Sequence, residues 1–286
     1  DKITNGQQCD IQRNSDKADR GVCTYIMFEQ IYNEYLLHKN EENFKERYAG
    51  KESWYHASGA GFCSRKLYYE SVERLEPTDP TPLKNARVMR LGTVIHQDIQ
   101  DAIIYYNNIY NNNINKDITE KILSEDNLHK CSFVVEGEIQ LPELNVRGFY
   151  DVLKIDETDP SFKRISLLDI KTSSRWNYDL KFSKKAVIPQ ESRNHFLQLS
   201  TYALGIEKEY GNVDEMSLLY YNKDNSKMAK QNVPLRYIQT ARRYWKAIND
   251  EHVKGIPVHN LGVSPAYKWC CGYCQFKDHC KPPSFK

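Results

Sequence analysis

Asp169 and Lys171 stand two residues apart in the apolar run Ile165-Ser166-Leu167-Leu168-Asp169-Ile170-Lys171-Thr172. Ile165, Leu167, Leu168 and Ile170 predict a core strand, and residues two apart on a strand project from one face. A carboxylate beside an ammonium at a strand end suits metal-assisted hydrolysis. The acid holds a divalent cation, while the lysine orients a water and balances negative charge on a phosphate. The blander alternative is an ion pair at the mouth of the strand. One predicted strand earlier, Asp151 interrupts the apolar part of Arg147-Gly148-Phe149-Tyr150-Asp151-Val152, where an unpaired carboxylate is costly. If the two strands are neighbours, the two acids share a site, and they repel unless a cation lies between them. His96, on the apolar side of a predicted helix, offers a third ligand or else is a satisfied core histidine. Gln198 and Tyr202, four apart, share a helix face. They can bind a phosphate or steady Lys171, or form a solvent-facing pair. Glu138 is a further acid with no assigned role.

A second group of chemically able residues is cysteine. Of eight in the chain, Cys270, Cys271, Cys274 and Cys280 crowd the C-terminus. The C-x2-C-x5-C spacing of Cys271, Cys274 and Cys280 leaves one coordination position open, and Cys63 lies far upstream. In a chain of this size with no export signal, such a cluster suggests metal or cluster ligation before disulfides. Structural zinc and an iron–sulfur cluster both suit the spacing. Cys270 can stand in for Cys271, and Cys9, Cys23 and Cys131 are expected to be core or free thiols.

The elements that must position these residues follow from periodicity. Residues 1–20 are polar and expected to be poorly ordered. A helix is predicted from Val22 to about Tyr48, with Ile26, Ile31, Tyr35 and Leu36 as its buried stripe. A loop leads to a short helix carrying Cys63, with Ser58 as its cap, and Pro77, Pro80 and Pro82 then break the chain. A long helix from Leu83 to about Tyr110 is expected to bury Leu91, Val94, Ile95, Ile99 and Ile103. An Asn-rich loop from Asn107 to Asn115 should end it. Strands over Cys131–Leu141, Val146–Ile155 and Arg164–Thr172 form an antiparallel meander. A basic and aromatic loop follows, then a helix over Glu191–Tyr210. Strands over Val213–Asn222 and Met228–Val233 precede a helix over Pro234–Lys254. This order predicts an α/β core with a mixed sheet, dressed by helical material at both ends.

Net charge is only +2 over 286 residues, which excludes a generally basic nucleic-acid coat; any such site must be a local patch. Candidates are Arg65, Lys66, Tyr68 and Tyr69 near Cys63, and Arg175, Trp176, Lys181, Lys184 and Lys185 after the Asp169 strand. No apolar run approaches membrane-spanning length and no signal peptide is evident, so a cytoplasmic setting is expected. No helicase motif is present.

Taken in order, Gly92-Thr93-Val94-Ile95-His96, Gly148-Phe149-Tyr150-Asp151, Asp169-Ile170-Lys171 and Gln198-x-x-x-Tyr202 resemble the RecB-like branch of the PD-(D/E)xK nucleases. The resemblance implies a restriction-endonuclease-like core, a central mixed sheet flanked by helices, over residues 83–255. It implies that His96, Asp151, Asp169 and the Ile170 carbonyl bind Mg²⁺ or Mn²⁺. It assigns Lys171 to the attacking water, and Gln198 and Tyr202 to supporting the site or the DNA. A distant cysteine before the His motif with a C-terminal C-x2-C-x5-C resembles the iron–sulfur nucleases, among them the AddB nuclease domain and the Cas-four type of CRISPR-associated exonuclease. This implies a 4Fe–4S cluster on Cys63, Cys271, Cys274 and Cys280, joining an N-terminal region (1–82) to a C-terminal cluster-binding segment (256–286). The expected activity is exonucleolytic, on single-stranded DNA or DNA ends. Its expected setting is recombination, repair, phage replication or CRISPR adaptation, with a protein partner from one of those systems. A catalytically silent DNA-end binding module and a structure-specific endonuclease are the alternatives.

Overall fold

The computed structural model describes residues 27–39, 41–42, 54–77, 83–112, 131–159, 161–182, 193–257, 271 and 274–280. The chain forms two compact units, Asp1–Gly50 and Lys51–Lys286. In the first unit, residues 27–39 are helical. Leu36 is buried, but Ile31 and Tyr35, expected beside it, are exposed. Apolar spacing marks a side of a helix, not what covers it. Ile26 lies outside the described residues.

Everything that follows belongs to the second unit. Its six-stranded sheet comprises β1 (Tyr55–His56), β2 (Cys131–Leu141), β3 (Val146–Asp159), β4 (Phe162–Ser173), β5 (Glu215–Asn222) and β6 (Met228–Val233). The order is β1-β3-β4-β5-β6, with β2 on the other side of β3. β2, β3 and β4 form the expected antiparallel meander. β4 and β5 are parallel, from Ser166 opposite Glu215 to Ser173 opposite Asn222. A parallel pair needs a crossover, here supplied by the helices α3 (Arg175–Phe182) and α4 (Arg193–Glu209). The mixed sheet flanked by helices is the expected fold class.

One edge of β3 is divided. β1 pairs with it at Val146 and Arg147, whereas β4 pairs with it only from Val152, opposite Leu168, onward. The stretch between, which includes Asp151, has neither partner strand. The core lies under α4, whose Phe196, Leu199, Tyr202, Leu204 and Ile206 are buried against Ile139, Tyr150, Leu153, Leu167 and Leu218. Trp245 of α5 (Arg236–His252) is wholly buried and donates from Nε1 to Thr201 Oγ1 at 2.8 Å. A polar atom placed that deep is stable only when so paired.

Four local expectations are corrected. The helix after Cys63, α1 (Ser64–Ser71), has no side-chain cap, and Ser58 lies in the 3-10 turn Ala57–Gly59. The long helix α2 (Leu83–Asn112) continues through Asn107 and Asn108, because Asn107 Nδ2 donates to the Phe133 carbonyl of β2 at 2.8 Å. On α2, Leu91 and Val94 are each 49% exposed. The segment after β4, expected as a loop, begins with α3. The Arg175 amide at its start donates to Asp224 Oδ2 at 2.7 Å. That acceptor is 49 residues away and satisfies a helix N-terminus that local sequence leaves open.

Candidate active site

Asp169 interrupts the apolar run of β4 between Leu168 and Ile170 and is 1% exposed. Its Oδ2 lies 2.7 Å from Lys171 Nζ, yet the ammonium is poorly aligned and Oδ2 has no hydrogen-bond donor. Gln198 of α4 completes the group. Its Oε1 accepts from Lys171 Nζ at 3.0 Å, and its Nε2 donates to Asp169 Oδ1 at 3.4 Å and to the Tyr202 hydroxyl at 3.0 Å. One amide therefore uses its acceptor and both donors to tie strand acid, strand lysine and helix tyrosine together. The i, i+4 spacing of Gln198 and Tyr202 puts both on the sheet-facing side.

Asp151 stands where β4 parts from β3. Beyond Val152, β3 no longer supplies the Ile170 amide with a ladder partner, and Asp151 Oδ2 accepts from it at 2.6 Å. His96 Nδ1 lies 3.7 Å from the same oxygen. Burial pushes the Asp151 carboxyl well above the usual range; the Asp169 charge pushes it further, while Lys171 and the Ile170 N–H pull it down. The His96 imidazole is lowered by burial and by Lys171, against Asp169 and a hydrogen bond to the Ile170 backbone. Tyr202 is pushed up, first by burial and then by Asp169. Two carboxylates forced together in a buried place are electrostatically unsatisfied without a cation.

The donor set suits such a cation. Carboxylates, an imidazole and a backbone carbonyl are ligands for Mg²⁺ or Mn²⁺, and Asp169 Oδ2 is a buried oxygen with an ion pair but no hydrogen bond. Among the described residues, however, no three His, Cys, Asp or Glu side chains are closed around one point. The carboxylates lean instead on the Ile170 amide and the Lys171 ammonium.

A family model described as the PD-(D/E)XK nuclease superfamily matches residues 110–281. The chain belongs to that superfamily. The matched span contains Asp151, Asp169, Lys171, Gln198 and Tyr202; His96 and Cys63 precede it. Among solved structures the chain is similar to SSO0001, at 19% identity and a TM-score of 0.48, covering 91% of this chain and 100% of that one. It is also similar to an alkaline exonuclease, LHK-Exo, from Laribacter hongkongensis. There the identity is 13% and the TM-score 0.43, covering 74% of this chain and 94% of the other. A comparison with curated proteins finds no match.

Two groups of residues were missed by sequence reasoning about this PD-(D/E)XK chain. His195 is half-buried, its Nδ1 3.1 Å from the Tyr220 hydroxyl, and desolvation together with Lys171 and Lys181 holds its imidazole well below the usual value. Glu136 accepts from Gln100 Nε2, and its charge reaches Asp151 and Tyr202. Glu138, the acid noticed in the sequence, accepts from its neighbour Gln140 at the surface. No sequence signal separates Glu136 from Glu138; the left-handed backbone at Glu136 and its contact with Gln100 do.

The nucleic-acid candidates divide. Trp176 is 70% exposed on α3, and Lys181 Nζ lies 5.1 Å from the Tyr220 ring centroid. Arg175 pairs with Asp179 at 3.5 Å. Lys184 and Lys185 lie outside the described residues. Near Cys63, Lys66 sits over the Phe62 ring and Tyr68 against His252. Tyr69, expected as a stacking surface, is buried against Phe276 and His279. Arg65 is turned to the C-terminal segment: Nε donates to the Pro257 carbonyl at 2.8 Å, and Nη1 approaches Cys280 Sγ at 3.7 Å.

These contacts bring α1 beside the cysteine-rich segment. Burial pushes the Cys274 thiol up, with smaller pushes from Cys63 and Cys280 opposed by Lys66 and the Phe276 backbone. Cys274 thus lies within electrostatic reach of Cys63 and Cys280, though among the described residues no ligand set is closed. Cys131 is buried at the start of β2. Cys9, Cys23 and Cys270 lie outside the described residues.

Proposed function

We propose that this chain is a metal-dependent DNA exonuclease acting on single-stranded DNA or DNA ends. The carrying observation is the convergence of Asp151, Asp169 and Lys171 at the point where β4 parts from β3, with Gln198 and Tyr202 behind them. Hydrolysis adds water to a phosphodiester and yields a phosphate monoester and an alcohol. His96, Asp151, Asp169 and the Ile170 carbonyl would hold Mg²⁺ or Mn²⁺, which would supply water activation and offset charge on the phosphate oxygens. Lys171 orients the attacking water, Gln198 fixes the ammonium, and Tyr202 fixes Gln198. Trp176, Lys181, Lys184 and Lys185 offer stacking and charge to a strand. Arg65, Lys66 and Tyr68 serve the wall between the nuclease core, 83–255, and the cysteine segment, 256–286.

The reading extends to a 4Fe–4S cluster on Cys63, Cys271, Cys274 and Cys280, which pins the end of the chain to the segment preceding α2. Its support is the family resemblance together with the Arg65, Tyr69 and Cys274 contacts. A cytoplasmic setting with a recombination or CRISPR-adaptation partner follows from the same resemblance. Among the described residues no helix is long and apolar enough to cross a membrane.

Incubating end-labelled single-stranded DNA with Mn²⁺ tests the activity. Wild type releases label and Asp169→Ala does not; equal release by both would overturn the assignment. The engaged carboxylates favour a second reading, a DNA-end binding module, which predicts retention of labelled DNA without cutting. Cleavage of circular single-stranded DNA would mark an endonuclease instead.

A further inference from the structure

We infer that Glu136 is a positioning residue: through Gln100 it fixes the rotation of α2, and with it the placement of the His96 ring against Asp151. The inference rests on the nuclease reading for its effect on rate, but not for its geometry. β2 and β3 pair at Val135–Val152 and at Gly137–Tyr150, so Glu136 and Asp151 both lie between these two pairs, on adjacent strands. Glu136 has φ +54°, a left-handed conformation that a glutamate seldom adopts. The alternation of both strands slips at this level. Val146, Tyr150, Leu153 and Ile155 all belong to the core, although an unbroken strand would send the first two and the last two to opposite faces. On β2, Ile139 belongs to the core and Val134 packs against it, the same one-residue slip. Irregularities of this kind re-aim a side chain.

The helix supplies the matching half. Gly92, His96, Gln100 and Asn107 lie along one side of α2. A Cβ at Gly92 would come within 2.9 Å of Thr172 Oγ1 on β4. His96 meets Asp151 on β3, while Gln100 and Asn107 meet Glu136 and Phe133 on β2. The helix therefore crosses the meander with its polar and small residues inward, which is why Leu91 and Val94 are left outside. Gln100 is 3% exposed, and a buried amide needs its acceptor. His96–Asp151 and Gln100–Glu136 are adjacent rungs. Each is one helical turn from the other on α2 and one strand from the other on the sheet. Removing the second rung lets the helix turn about its axis and carries the imidazole away from Asp151.

The test uses the full chain with Glu136→Ala, Gln100→Ala, the double variant and Glu136→Gln. On single-stranded DNA with Mn²⁺, each alanine variant is expected to lower kcat by about tenfold or more, with KM within about twofold. The double variant should be no worse than either single. Glu136→Gln keeps an acceptor oxygen for Gln100 and should restore most of the rate. Wild-type kcat in Glu136→Ala, additive losses in the double variant, or a Glu136→Gln as slow as Glu136→Ala would each overturn the proposal. The His96 ring nitrogen resonances, assigned with His96→Gln, give a second readout in metal-free protein. They should move in Gln100→Ala and Glu136→Ala but not in Glu136→Gln. Unmoved resonances sink the proposal, even if wild type cuts no DNA and the nuclease reading has failed separately. If Glu136→Ala does not fold, Gln100→Ala and Glu136→Gln still decide it on the same two readouts.

Discussion

At the residue scale, Gln198 carries more of the site than its type suggests. Three of its four hydrogen-bonding positions are used, on Lys171, Asp169 and Tyr202, so its loss leaves the Lys171 ammonium held by Asp169 alone and a buried tyrosine hydroxyl short of a donor. Gln198→Ala is expected to cut the rate of DNA cleavage by about tenfold to hundredfold, in the manner of residues that orient a reacting group. Gln198→Glu should fare no better, since it sets a third carboxylate beside Asp169. Steady-state kinetics on labelled DNA checks both. The sequence singled out Asp169, Lys171, Gln198 and Tyr202 as candidates because each sits at a spacing that fixes its face. It gave no hint of Glu136, because a left-handed φ and a cross-strand partner leave no mark on neighbouring residues.

At the element scale, two contacts hold the layers in register. Gly205 on α4 lies so close to β2 that a Cβ there would come within 2.6 Å of the Ile139 side chain. Gly205→Ala is expected to force the helix off the sheet and cost about 1–3 kcal/mol, seen as a lower midpoint in thermal or urea unfolding. At the other end of the core, His252 of α5 joins β1 to α1. Ser64 Oγ donates to Glu251, so His252 Nε2 must donate to Ser64, at 2.9 Å, and Nδ1 accepts from the Tyr55 hydroxyl at 2.7 Å. Both ring nitrogens are committed with the imidazole neutral. Burial lowers its pKa from the ordinary 6.5, against smaller upward pushes from Glu251 and Ser64. A histidine with a depressed folded pKa contributes stability that is complete above 6.5 and is lost as pH falls through the folded value. Wild type should therefore lose more of its thermal midpoint between pH 7.5 and 5.5 than His252→Gln does. Parallel slopes for the two proteins would contradict this.

For the whole molecule, the C-terminal segment returns to α1 through Arg65, Tyr69 and the cysteines. Closing so long a loop should matter more for folding than for bond cleavage. On the proposed 4Fe–4S cluster, wild type is brown, Cys280→Ala loses colour and solubility together, and Cys131→Ala, buried away in β2, keeps the colour. Visible absorption with iron analysis on both proteins measures it. A soluble, colourless and fully active Cys280→Ala would remove the cluster from the fold.

The chain's own order determined the elements: Cys131–Leu141 as a strand, the meander after it, α4, and the acid and lysine at the end of β4. Local periodicity and spacing suffice for these, because backbone hydrogen bonding and side-chain direction repeat every two or 3.6 residues. Tertiary structure decided what no repeat encodes. The parting of β4 from β3 hands the Ile170 amide to Asp151. Asp224 caps α3 from 49 residues away. α2 lies with Gly92, His96 and Gln100 inward and Leu91 outward. In each case the deciding partner is distant in sequence, and a hydrogen bond to a buried group outweighs the side that hydrophobicity alone would choose.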